Sequence, residues 1–192
     1  MNSNALFSTR TLTLMSAGIA INMVLGQIAS MLKLPIFLDS IGTIIVALLA
    51  GPIAALVAGL TTNLIWGLLT SPIAAAFAPV AAIIGLVAGL CARAGWFRSL
   101  PHVLFSSLLI TIAVVIVATP IRTYLFGGVT GSGADFVVAY MNTLGNKLLE
   151  SVAITVFGTN LIDKVLCALV AWFVVRNLPE RICSQFAAAK VR

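Results

Sequence analysis

Asp163 and Lys164 stand side by side in the apolar run GTNLIDKVLCALVAW, about two turns into a candidate helix. An ionised side chain at mid-bilayer costs at least ~2.5–3.5 kcal/mol, so both must face protein, water or a ligand. Neighbouring helical residues point about 100° apart, which predicts separate partners for the two rather than a mutual salt bridge. Asp39, Arg122, Glu150 or a ligand are the candidates. Asn160 precedes the pair by three and four residues, which puts all three on one broad face. Such a cluster fits a site for a small polar molecule. Its alternative reading is helix-to-helix glue, or side chains snorkelling to the surface.

Further polar residues extend this set. Asp39, in LPIFLDSIGT, reads either as a helix N-cap or as a ligand-facing carboxylate, with Thr43 one turn on along the same side. Asn63, in GLTTNLIWGLL, lies mid-span and needs a partner for its amide. Trp66 is close by and Tyr124 ends a later span; an aromatic in a span is more often core or lipid-facing than a stacking platform. His102, after Pro101 near the inner surface, reads as a solvated interfacial side chain.

Catalytic patterns are missing. The sequence has no phosphate-binding glycine loop, no Ser/His/Asp arrangement and no metal-ligand cluster. No cofactor is expected. The loop GGVTGSG at 127–133 reads as merely flexible. Cys91, Cys167 and Cys183 lack ligand spacing and read as buried free thiols.

The elements that must position these residues are membrane spans. The chain is 61% hydrophobic and only 8% charged, far outside soluble composition. Its net charge of +6 is scattered over segment ends, which argues against nucleic-acid binding. Runs at 11–32, 40–50 (with 34–39 added), 52–70, 79–94, 100–124 and 148–175 predict an all-α integral membrane protein of six transmembrane helices. Gly51-Pro52 reads as the turn between the second and third. The opening run is expected to be a retained span rather than a signal peptide.

Basic residues orient the stack. Arg10, Arg93, Arg98, Arg176, Arg181, Lys190 and Arg192 fall on one side, against Lys33, Arg122 and Lys147 on the other. The positive-inside rule then places both termini in the cytoplasm. The expected division is a cytoplasmic segment at 1–10, the membrane domain at 11–176 and a cytoplasmic tail at 177–192. The first span also shows small residues at Thr13, Ser16, Ala17 and Ala20. Such residues let another helix approach closely, within this chain or on a partner.

LPIFLDSIGT, LLAGPIAALVAGLTTNLIWGLL and NLIDKVLCALVAWFV together resemble the substrate-capture (S) components of energy-coupling factor (ECF) vitamin transporters, over about 11–175. That resemblance implies a micronutrient bound near the outer face under external loops, in a prokaryotic plasma membrane. It further implies docking, through Thr13/Ala17 and Ser16/Ala20, to a transmembrane coupling subunit with two cytoplasmic ATPases. The chain itself would hydrolyse no ATP. NLIDK is similar to the Asn-x-x-Lys stretch of riboflavin-type members, with Asn160 matching and Asp163 standing at the lysine position. Asp39, Thr43, Asn63, Trp66, Tyr124, Asn160, Asp163 and Lys164 are the expected substrate site, closed by the loop at 125–140. Substrates such as a B6 form, a flavin, a corrinoid or a nucleobase-like precursor fit this outline.

Two rivals remain at this level. A self-sufficient secondary transporter would use Asp163 and Lys164 as an ion or proton relay. AALVAGLTTNLIWGLL and ITVFGTNLIDKVLCALVA share a Thr-Asn pair, a faint internal echo of the kind carriers built from repeats show. A membrane sensor or assembly subunit would use the polar cluster for packing alone.

Overall fold

The computed structural model describes residues 8–186, and all regular structure among them is helical. Helix α1 (Thr9–Met31) starts at Ser8, whose hydroxyl accepts from the Thr11 amide at 3.3 Å. A linker at 32–40 leads to α2 (Ile41–Ala50). Gly51, at φ 90°, turns the chain into α3 (Pro52–Leu69), with Pro52 in the first turn where its missing N–H costs nothing. The one-turn helix α4 (Pro72–Ala76) and Phe77 precede α5 (Ala78–Arg93). Helix α6 (Leu100–Pro120) runs on into a π-helical turn (Ile121–Leu125). After a loop come α7 (Ala134–Thr143), the long α8 (Leu148–Asn177) and the short α9 (Glu180–Cys183).

Among the described residues, four helices are long and apolar enough to cross a membrane: Thr9–Met31, Pro52–Leu69, Leu100–Leu125 and Leu148–Asn177. The other two expected spans are the shorter apolar helices α2 and α5. Ten residues of α-helix rise only about 15 Å, half a hydrocarbon core. Burial accounts for α2: every residue from Ile41 to Leu49 is buried among α1, α3, α5 and α8, so it meets protein instead of lipid. Helix α7 is a difference from the sequence reading, which had its residues within a loop.

Close approach through small residues holds the bundle. On antiparallel α3 and α5, a Cβ at Gly59 would overlap the Ala81 carbonyl, and one at Gly85 would overlap the Ala55 carbonyl. Lipid supplies no hydrophobic drive between helices, so backbone proximity of this kind carries the association. Helix α6 packs along α8 and completes the wall around the interior.

Candidate functional site

Asp163 and Lys164 pair with each other, against expectation: Lys164 Nζ lies 2.6 Å from Asp163 Oδ2. The 100° offset governs where the Cβ atoms point, but the flexible lysine stem brings its ammonium to the same spot. That spot is where the 32–40 linker crosses α8. Asp163 Oδ1 accepts from the amides of Phe37 (3.0 Å) and Leu38 (2.8 Å). Lys164 also donates to Ser40 Oγ at 2.9 Å and stands 3.7 Å from Asp39 Oδ1. Neither Arg122 nor Glu150 is a partner of this pair.

Asp39 does not cap α2. The cap position is Ser40, which makes no side-chain cap bond. Asn22, in the middle of α1, takes the role: its Oδ1 accepts from Gly42 N at 2.7 Å, and its Nδ2 donates to Thr43 Oγ1 at 2.8 Å and Thr62 Oγ1 at 3.3 Å. One fully buried amide thus ties α1, α2 and α3 together. Its signal, an Asn inside an apolar span, was as visible as that of Asn63.

With its carboxylate free of capping, Asp39 borders a cavity of about 310 Å³. Gln27 and Ser30 of α1 and Phe37 of the linker line one side. Asn63 and Trp66 project from α3, Phe77 from the α4–α5 junction, and Asn160 and Lys164 from α8. Val80, Ile84 and Val114 give it an apolar wall. Trp66 lies across Gly26, where any Cβ would meet the indole ring. Asn63 is 6% exposed, and no described residue hydrogen-bonds its side chain. Asn160 donates from Nδ2 to Val156 O at 2.9 Å, which leaves Oδ1 as an acceptor.

The expected site residues therefore divide. Asp39, Asn63, Trp66, Asn160 and Lys164 come together around the cavity. Asp163 stands behind Lys164 and does not line it; Thr43 is buried against Asn22. Tyr124 is 74% exposed and faces away from it. Arg122, absent from the expected set, does line the cavity.

Arg122 also fixes the glycine-rich loop. It is 3% exposed, donating from Nε to Gly128 O at 3.0 Å and from Nη2 to Asp135 Oδ1 at 2.6 Å. Asp135 in turn accepts from the amides of Thr130 (3.1 Å) and Gly131 (2.7 Å). Lys33 Nζ donates to Gly131 O at 2.8 Å, and Gly133 packs on the carbonyls of Lys33 and Leu34. Phe126 stacks on Phe77 with centroids 5.8 Å apart. A loop expected to be merely flexible is thus pinned over the linker, with Thr130 and Ser132 on the cavity wall.

A family model described as "ECF transporter, substrate-specific component" matches residues 10–175. The chain belongs to this family. No curated protein and no solved structure gives a significant match. As an S component it is a multi-pass membrane protein of a prokaryotic transporter family and a non-enzymatic, substrate-binding subunit. S components work with the partner subunits of the ECF module. The expectation drawn from resemblance, and the exclusion of an enzyme, agree with this match. Two of the three cysteines, Cys91 and Cys167, are buried free thiols, while Cys183 is half-buried.

Proposed function

We propose that this S component captures a small polar-aromatic nutrient from outside the cell in the Asp39/Asn63/Asn160/Lys164 cavity. The Asn63 amide carries the reading: hydrogen-bonded by no described residue and lining the cavity, it keeps its donors and its acceptor for a polar ligand there. A volume of about 310 Å³ sits at the lower end of ligand pockets, about 300–1,000 Å³. That size favours a molecule of one or two rings over a corrinoid macrocycle. Asn160 and Lys164, four residues apart, both line the cavity, one residue further apart than in the Asn-x-x-Lys stretch of riboflavin-type members, whose lysine position is Asp163 here.

The charge asymmetry of the sequence supports cytoplasmic termini in a plasma membrane, with six membrane segments formed by α1, α2, α3, α5, α6 and α8. The pinned loop then covers the cavity from outside. Thr13, Ser16, Ala17 and Ala20 are exposed on α1, as a face for the transmembrane coupling subunit requires. That subunit and two cytoplasmic ATPases supply the energy.

Protein purified from its native membrane is expected to retain one small molecule, identified by mass spectrometry. Asn63→Ala or Asn160→Ala should lower its affinity at least about tenfold, about 1.4 kcal/mol. Unchanged affinity in both variants removes the cavity from the reading. Uptake into vesicles driven by a proton gradient without any ATPase decides for a secondary carrier instead.

A further inference from the structure

Two cations and three carboxylates meet at the cavity wall or directly behind it. Lys164, Arg122 and Asp39 line it. Asp163 backs Lys164 and Asp135 backs Arg122, each at 2.6 Å. Asp39 is left over. Its 3.7 Å to Lys164 Nζ is ion-pair range but beyond a direct hydrogen bond. It is also the most open of the three carboxylates, 26% exposed against 18% for Asp135 and 0% for Asp163. Lys33 is exposed, holds the Gly131 carbonyl and is not part of the wall.

One negative charge is therefore in excess beside an apolar surface, where screening is weak and an unmatched charge is costly. The neutral groups can serve the same charge: Asn160 has a free Oδ1 acceptor, and the Asn63 amide offers an oxygen as well as its N–H donors. Trp66 and Phe77 contribute aromatic rings to the wall, and aromatic rings attract cations.

We infer that the captured molecule is a small organic cation: a flat nitrogen heterocycle or amine whose charged N–H group meets Asp39. This rests on the cavity being the capture site and specifies its chemistry. A carboxylate-bearing ligand would add a second unmatched negative charge.

Full-length protein in detergent, stripped of retained molecules, is titrated calorimetrically with benzamidinium, benzamide and benzoate. These share nearly one outline and differ in charge. Benzamidinium should bind at least about tenfold more tightly than the other two. The preference should shrink in Asp39→Asn and grow in Asn160→Asp, the second variant serving if the first does not fold. Equal binding of benzamide or benzoate overturns the inference, as does a preference intact in folded Asp39→Asn. Absence of binding by all three at millimolar concentration overturns it too. A molecule retained from native membranes and lost in Asn63→Ala would still leave the capture site standing. If that molecule has no basic nitrogen, the cation preference alone falls.

Discussion

Lys164 Nζ lies 2.6 Å from Oδ2 of Asp163, its chain neighbour, while the other carboxylate oxygen holds the amides of Phe37 and Leu38. One ion pair on α8 therefore fixes the linker that carries Asp39. Removing one partner of a buried pair leaves an uncompensated charge and costs about 3–5 kcal/mol. Asp163→Ala should lower thermal stability in detergent by that order, and free the Phe37 and Leu38 amides to exchange. The double variant Asp163→Asn/Lys164→Met should recover part of the loss, because neither member of the 2.6 Å pair is then charged without the other, although the partly exposed Asp39 loses its cation. Strictly additive losses would deny the coupling.

The Arg122–Asp135 clip makes a separate prediction. Asp135 gathers the Thr130 and Gly131 amides as well as the Arg122 guanidinium, so it closes the loop from within. In Asp135→Ala, hydrogen exchange at Thr130 and Gly131 should rise sharply, and retained ligand should dissociate at least about tenfold faster. Association should change much less. Exchange at those two amides matching the parent protein would show that the clip does not hold the loop.

Much of this was legible in the sequence. Apolar runs gave the membrane class, and their breaks gave helix boundaries, because hydropathy and proline act locally. Asp39, Asn63, Asn160 and Lys164 stood out because a bilayer excludes them. What was not legible depends on the linker at 32–40. Its path decides that Asp163 holds backbone amides while Lys164 reaches the cavity, and helical spacing carries no such information. Thr43 and Tyr124 failed to reach the cavity for the same reason: their directions follow from how α2 and the π-helical turn are packed. Asn22 was readable in kind but not in role, since its partners lie 20 to 40 residues away in the chain.

Two glycines should respond in opposite ways to a single methyl group. A Cβ at Gly42 would overlap the Gly18 carbonyl where α1 and α2 touch, and a backbone atom cannot rotate aside. Gly42→Ala should cost about 1–3 kcal/mol in unfolding experiments. Gly158 on α8 has nothing within 4 Å of its Cβ position. Gly158→Ala should stabilise by about 0.5–1 kcal/mol through helix propensity. Equal effects of the two substitutions would contradict the close contact of α1 with α2.

Docking through α1 separates binding from uptake. Ala17 is exposed on the same face as Thr13, Ser16 and Ala20, and the cavity lies elsewhere on the helix, at Gly26, Gln27 and Ser30. A large side chain at position 17 should therefore keep a coupling helix at a distance while leaving the cavity intact. Ala17→Trp is expected to bind the native ligand within about twofold of the parent protein, yet to lose at least about tenfold in ATP-dependent uptake. Co-purification with the coupling subunit should fall in parallel. Full uptake by Ala17→Trp would show that this face does not meet the partner, and loss of ligand binding would show that its effect is on the fold instead.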